Sequence, residues 1–226
     1  MGYKGLCQLT MFIKDAQTKE ATIFNHSGNK IKTEDREIDI IARFEEPLVV
    51  VLGSVLDDEE CEALIEVSKD RLERSKIGST RDVSDIRTSS GTFLIDIKND
   101  ILLRVEKRVS TIMGIPSEHS EGLHILNYKP GQEYKEHVDY FAPTSKSASN
   151  NRISTLVLYL NDVEEGGETF FPKLNFSVYP KKGMAVYFEY FYNDPLLNEL
   201  TLHGGAPVVS GEKWIATQWM RRKKVN

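Results

Sequence analysis

Cysteine is scarce in this chain: Cys7 and Cys61 are the only two among 226 residues. They form no CxxC pair and no zinc-knuckle spacing, which excludes a disulfide framework and makes a reducing compartment the expectation. Long apolar runs are missing as well, and nothing approaches the ~20 consecutive apolar residues that cross a bilayer as a helix. The mildly apolar stretch Leu6–Ile13 is interrupted by Gln8 and Thr10 and followed at once by Lys14 and Asp15, so no signal peptide is expected there. Gly2 follows Met1, but Leu6 breaks the myristoylation pattern. A cytoplasmic protein without a membrane partner is the resulting expectation. Excess positive charge is also lacking. Lys+Arg 29 against Asp+Glu 34 gives a net charge of −5, which excludes nucleic-acid binding through a broad basic face.

What is present suits a folded domain. The hydrophobic content of 40% supports a sizeable core, and no internal repeat or low-complexity tract is visible. Residues 1–45 are polar and mixed and read as an N-terminal extension on a main domain of residues 46–226. Within the extension, Asn25–Asn29 reads as a turn, and Ile38 and Ile40 interleave with Glu37 and Asp39 as in a short strand.

Pro47–Val51 is apolar and β-branched, hence a strand. A helix follows, capped by Asp57 with Glu60 as its reciprocal partner. Cys61, Leu64, Ile65, Ser68 and Leu72 form its buried stripe. A second helix is expected from Asp100 to Met113, stopped by Gly114 and Pro116. From Leu123 the texture changes to short strands: Leu123–Lys129, Tyr134–Phe141, Ile153–Leu160, Thr169–Pro172, Met184–Glu189, Glu199–His203 and Lys213–Met220. Turn signals such as Pro130-Gly131, Gly166-Gly167 and Gly204-Gly205 separate them. Helices first and strands after predict an α+β, mainly β fold, a sandwich or barrel with the helices packed on one sheet.

Chemistry concentrates around two of the five histidines. His137 and Asp139 are two apart, which on a strand aims both side chains at one face. His203 ends a later strand and can complete a set of two imidazoles and one carboxylate. That set leaves one face of a metal open and marks non-haem Fe(II) oxygenases, whereas the HExxH helix of zinc proteases is absent. Lys213 follows His203 by ten residues. It shares a strand face with Ile215, Thr217 and Trp219, and an ammonium on an apolar inward face needs an anionic partner.

Together these features resemble the 2-oxoglutarate-dependent dioxygenases, specifically the collagen-type prolyl 4-hydroxylases and among them a small bacterial member. The matching segments are Arg87-Thr-Ser-Ser-Gly91, Leu126-Asn-Tyr128, His137-Val-Asp-Tyr-Phe141, Tyr159-Leu-Asn161, Glu164-Glu-Gly-Gly-Glu-Thr-Phe-Phe-Pro172, Lys182-Gly-Met-Ala185, His203-Gly-Gly-Ala-Pro-Val208 and Gly211-Glu-Lys-Trp214. The resemblance implies a double-stranded β-helix (jelly-roll) core with iron at its open end. It implies His137, Asp139 and His203 as Fe(II) ligands. Lys213, Tyr128 and Thr169 would hold the distal carboxylate of 2-oxoglutarate, and a hydroxyl beside an ammonium satisfies a carboxylate better than the ammonium alone. Arg152, Tyr134 and Trp219 resemble positions that face the peptide substrate. Tyr134, at an odd offset from His137, is expected off the ligand face, at the start of the strand.

The implied reaction consumes O2 and 2-oxoglutarate, releases succinate and CO2, hydroxylates carbon 4 of a peptidyl proline, and draws on L-ascorbate. The implied partner is a proline-containing peptide or protein, collagen-like repeats included. The segments Phe141–Asn151 and Ile77–Ser90 are candidate lids, and the helices with the N-terminal extension offer a homodimer surface. Two other readings stay open: hydroxylation of another side chain, such as lysine, and a non-catalytic jelly-roll binding module. The intact ligand set speaks against the second. A cupin would carry HxH with a later Glu, which is missing.

Overall fold

The computed structural model describes residues 21–77, 82–95 and 99–225. Among them the larger sheet has nine antiparallel strands. Their order is β1 (Lys30–Lys32), β2 (Glu37–Glu45), β3 (Leu48–Gly53), β14 (Ala185–Glu189), β10 (Arg152–Tyr159), β17 (Lys213–Arg221), β8 (Leu123–Tyr128), β7 (Ser90–Leu94) and β4 (Glu73–Arg74). A smaller sheet runs β13 (Phe176–Val178), β12 (Thr169–Phe171), β15 (His203–Gly205) and β9 (Tyr134–His137). Two short ribbons complete the strands: β5 (Lys76–Ile77) with β6 (Asp82–Val83), and β11 (Glu165–Gly166) with β16 (Val208–Ser210).

Strand periodicity divides the interior into two cores. On β10, Leu156 and Leu158 point to one side and Val157 and Tyr159 to the other. The first pair joins a core beneath the helices. The second joins Val51, Leu126, Phe171, Val178 and Phe188 in a core between the two sheets. Both faces of the central strands are therefore buried, the mainly β jelly-roll with helices on one sheet that was expected.

The two long helices are α1 (Asp58–Ser68) and α2 (Asp100–Met113). Asp57 caps α1 in a full capping box: its side chain accepts from the Glu60 amide and Glu60 accepts from the Asp57 amide. Glu60 does more than the cap. Its side chain is fully buried and receives Arg108 Nη1 at 2.7 Å and Nη2 at 2.6 Å, together with Arg104 Nε at 3.0 Å. Burial pushes the Glu60 carboxyl up, but Arg108 and the cap amide outweigh it and hold it below the usual range. Asn99 caps α2, and Gly114 closes it in the left-handed region at φ 66°. A Cβ there would stand 2.9 Å from the Ile23 carbonyl, so only glycine fits.

Three expected boundaries differ. Leu72 lies beyond α1, after a short 3-10 turn at Lys69–Arg71. The strand expected over Tyr134–Phe141 ends at His137. Of the strand expected over Glu199–His203, Glu199 instead ends a short helix, α3 (Pro195–Glu199), a turn follows, and β15 begins only at His203. Asp194 caps α3 and Pro195 opens it. The described part of the N-terminal extension contributes β1 and β2 to the larger sheet. It is pinned by Glu189, which accepts from the Thr22 hydroxyl and the Ile23 and Phe24 amides. Cys61 is buried, and burial pushes its thiol up to about 12. Cys7, Leu6–Ile13 and residues 78–81 of one candidate lid lie outside the described residues. No helix among the described residues is long and apolar enough to cross a membrane.

Candidate active site

Pairing of β9 with β15 builds the centre of the site. His137 and His203 are register partners, which brings two imidazoles 66 positions apart in sequence to a ring separation of 4.3 Å. Asp139 sits in the bend just after β9. Its Oδ1 lies 3.5 Å from His137 Nε2 and its Oδ2 3.6 Å from His203 Nε2. One ligand atom from each of the three falls within 4.8 Å of the others. The tautomers are fixed from behind. His137 Nδ1 bonds the Lys135 carbonyl at 2.8 Å, and His203 Nδ1 bonds the Thr201 carbonyl at 2.9 Å. With Nδ1 committed as donor, each Nε2 keeps its lone pair for the centre.

Electrostatics agree with a cation site. Burial pushes Asp139 up, but His203 and His137 outweigh it and hold its carboxyl far below the usual range. Burial, with His137 nearby, lowers His203 to about 4, so it stays neutral. A neutral imidazole and an ionised carboxylate are the forms that bind metal.

The cavity around the triad is also lined by Tyr128, Thr169 and Lys213. Lys213 is 2% exposed, and among the described residues its ammonium has no hydrogen bond or ion pair. Burial lowers it to about 8, opposed by Glu168. Its stem passes over Gly167, where a Cβ would stand 3.2 Å from Lys213 Cδ, and Gly167 also has φ 73°. The Thr169 hydroxyl accepts from Tyr159 at 2.8 Å and so directs its own proton elsewhere. A buried ammonium beside hydroxyl donors is a cradle for a carboxylate, and it lines the same cavity as the triad. The residues present therefore fit both Fe(II) and 2-oxoglutarate.

The comparisons agree with this chemistry. The model of the 2OG-Fe(II) oxygenase superfamily matches residues 123–221. Probable prolyl 4-hydroxylase 10 of Arabidopsis thaliana is 39% identical over 86% of this chain and 75% of its own length. The chain belongs to the prolyl 4-hydroxylase family. It is an Fe(II)/2-oxoglutarate-dependent dioxygenase. Prolyl 4-hydroxylase 5 of the same plant is 36% identical over 93% of this chain and 78% of its own length. Among solved structures, the viral collagen prolyl hydroxylase of Paramecium Bursaria Chlorella virus-1 in complex with 2OG has a TM-score of 0.61 at 31% identity. That match covers 76% of this chain and 95% of the viral one.

The prolyl 4-hydroxylase fold places the three expected substrate residues unequally. Tyr134 was expected off the ligand face, but an irregularity in the β9–β15 register turns it back. Its ring stacks on His137 at 3.5 Å and 15°. Burial pushes its hydroxyl up to about 12. Arg152 is held rather than free: it grips Glu121 at 2.7 Å through both Nε and Nη2, and its Nη1 donates to the Asp139 carbonyl at 3.4 Å. The guanidinium lies 3.9 Å over Trp219, so one face of that ring is already covered while the residue still lines the cavity.

Sequence reasoning missed four participants. Arg87 lines the cavity with its guanidinium over the Tyr134 ring at 4.7 Å. Glu121 anchors Arg152. Thr155 and Tyr190 reach Asp139 from behind. Thr155 left a signal, a hydroxyl on the inward face shared with Val157 and Tyr159. Glu121 left none, because its partners are distant in sequence.

Proposed function

We propose that this enzyme hydroxylates carbon 4 of a peptidyl proline, with His137, Asp139 and His203 holding Fe(II) and Lys213, Tyr128 and Thr169 holding the distal carboxylate of 2-oxoglutarate. The observation that carries this reading is the convergence of the triad and an unpartnered buried ammonium on one cavity. Bound iron supplies oxidative decarboxylation of the keto acid coupled to C–H hydroxylation.

The chain's own residues bind, orient and exclude water. Lys213 neutralises the distal carboxylate, and the Tyr128 and Thr169 hydroxyls occupy its remaining acceptor positions. The aliphatic lining of Leu126, Val157 and Ile215 keeps water from the reacting centre. We assign Arg152, Tyr134 and Trp219 to substrate recognition: Tyr134 and Trp219 line the cavity and offer flat walls for a pyrrolidine, and Arg152, which grips Glu121 and lies over Trp219, positions that ring. The proline ring is the substrate supported by the relatives' names, and collagen-like Gly-X-Pro repeats are its first candidate form. Ascorbate is proposed as the reductant that keeps the iron ferrous, and a homodimer as the state to check by sedimentation.

The test is mass spectrometry of proline-rich and collagen-like peptides after incubation with Fe(II), ascorbate and 2-oxoglutarate. One oxygen added at proline, matched by succinate, is the expected result. Oxygen added only at another residue, or succinate formed without any peptide product, would overturn it.

A further inference from the structure

The metal ligand Asp139 is held by two buried side chains that carry no role in the site described above. Its Oδ2 accepts the Thr155 hydroxyl at 2.6 Å, and the Thr155 oxygen lies 2.8 Å from the Tyr190 hydroxyl. Thr155 is 0% and Tyr190 3% exposed. A threonine hydroxyl has one proton. Asp139, an ionised carboxylate, takes that proton as acceptor, so the Tyr190 hydroxyl must be the donor in the second bond. The direction of the chain is thus fixed: Tyr190 to Thr155 to Asp139.

The three residues come from different parts of the fold. Asp139 sits in the bend after β9, Thr155 on β10 and Tyr190 one residue past β14. β10 and β14 are paired neighbours in the larger sheet, and their register sets the Thr155–Tyr190 contact. A free carboxylate in a bend can rotate and offer either oxygen, or both. Here Oδ2 is committed to Thr155, and Oδ1 is the oxygen left without a hydroxyl donor.

We propose that Thr155 and Tyr190 are positioning residues that lock the Asp139 carboxylate so that Oδ1 alone is presented to the metal, preserving the open coordination positions. A relay of this kind is cooperative, since a hydroxyl that accepts a hydrogen bond donates a stronger one. Partners behind ligating groups typically govern 10–100-fold in metal affinity. The proposal rests on the assignment of Asp139 as a ligand.

The test measures Mn2+ binding to the metal-free full chain by electron paramagnetic resonance, alongside melting temperature. Thr155→Val should weaken Mn2+ binding about tenfold or more. Tyr190→Phe should shift it less but in the same direction, and Thr155→Ser should restore it. The affinity for 2-oxoglutarate at saturating Mn2+ should stay within about twofold, because the Lys213 end of the cavity is untouched. Melting temperatures that fall while Mn2+ affinity stays at the wild-type value would make both residues mere packing and overturn the relay. If Thr155→Val does not fold, Tyr190→Phe decides alone. Wild-type protein that binds no Mn2+ would defeat the metal assignment itself, whereas wild-type binding matched by both variants defeats only the relay.

Discussion

Lys213 and Tyr128 are register partners on the neighbouring strands β17 and β8, with the ammonium 5.5 Å from the centre of the tyrosine ring. Directly opposed residues of an antiparallel pair point to the same face. The cation and the phenol therefore reach one carboxylate-sized space together, and the sheet register, not a loop, sets their spacing.

Replacing Lys213 by Met should raise the KM for 2-oxoglutarate about 10–100-fold, the worth of a charge-assisted hydrogen bond of roughly 1.5–3 kcal/mol. Steady-state succinate formation at varied 2-oxoglutarate measures it. A variant with the wild-type KM would remove Lys213 from the cosubstrate site.

The same lysine predicts a pH dependence. The protonated form binds the diacid, and burial lowers its pKa from 10.5 to about 8 in the free enzyme. The KM for 2-oxoglutarate should be flat below pH ~8 and rise about tenfold per unit above it, until the pKa of the bound form is reached. Without cosubstrate the sign for stability is opposite. The folded chain binds fewer protons than the unfolded one between about 8 and 10.5, so this group's contribution makes stability rise with pH across that window. A KM independent of pH from 7 to 9.5 would contradict the assignment.

Removing a triad ligand should abolish the site rather than tune it. His137→Ala and His203→Ala should each lose both metal binding and peptide-independent 2-oxoglutarate turnover, while a chelator should inactivate the wild type reversibly. Retained turnover in either variant, measured by succinate release after iron is added back, would break the triad reading.

Arg152→Lys keeps the charge but loses the planar fork that grips Glu121 and lies over Trp219. Peptide KM should rise about tenfold, with peptide-independent turnover of 2-oxoglutarate unchanged. A loss confined to peptide-independent turnover would place Arg152 outside the substrate contact.

Glu60→Gln strips a buried carboxylate from Arg108, itself 2% exposed. Breaking one partner of a buried pair costs about 3–5 kcal/mol, which at this chain length lowers Tm by roughly 6–20 °C. The exposed Glu62→Gln serves as the calorimetric control. Arg108 also pairs with the carboxylate of Asp35, and equal melting temperatures for the two variants would show that it finds full compensation there.

Local rules carried well where the structure is local. The capping box at Asp57 and Glu60, the stop at Gly114 and the strand near Ile153–Leu160 follow from periodicity and backbone preference. They failed where a bend or a register shift intervened. Asp139 comes near His137 and His203 from a bend after β9, not from the strand alternation that was counted on. Tyr134 was put off the ligand face by counting residues, and the irregular β9–β15 register returned it. The strand expected from Glu199 begins only at His203, because Asp194 and Pro195 start a short helix that runs to Glu199.

By itself the sequence determined which residue types are available for chemistry, in what order and with what short-range geometry: two histidines, an aspartate and a late lysine among strands and turns. The tertiary structure alone decided that His137 meets His203, that Glu121 holds Arg152, and that Tyr190 supports Asp139 through Thr155. The reason is physical. Periods of 2 and 3.6 residues report only which face a side chain takes, whereas contacts between distant strands depend on register, and register is settled by the packing of the whole sheet.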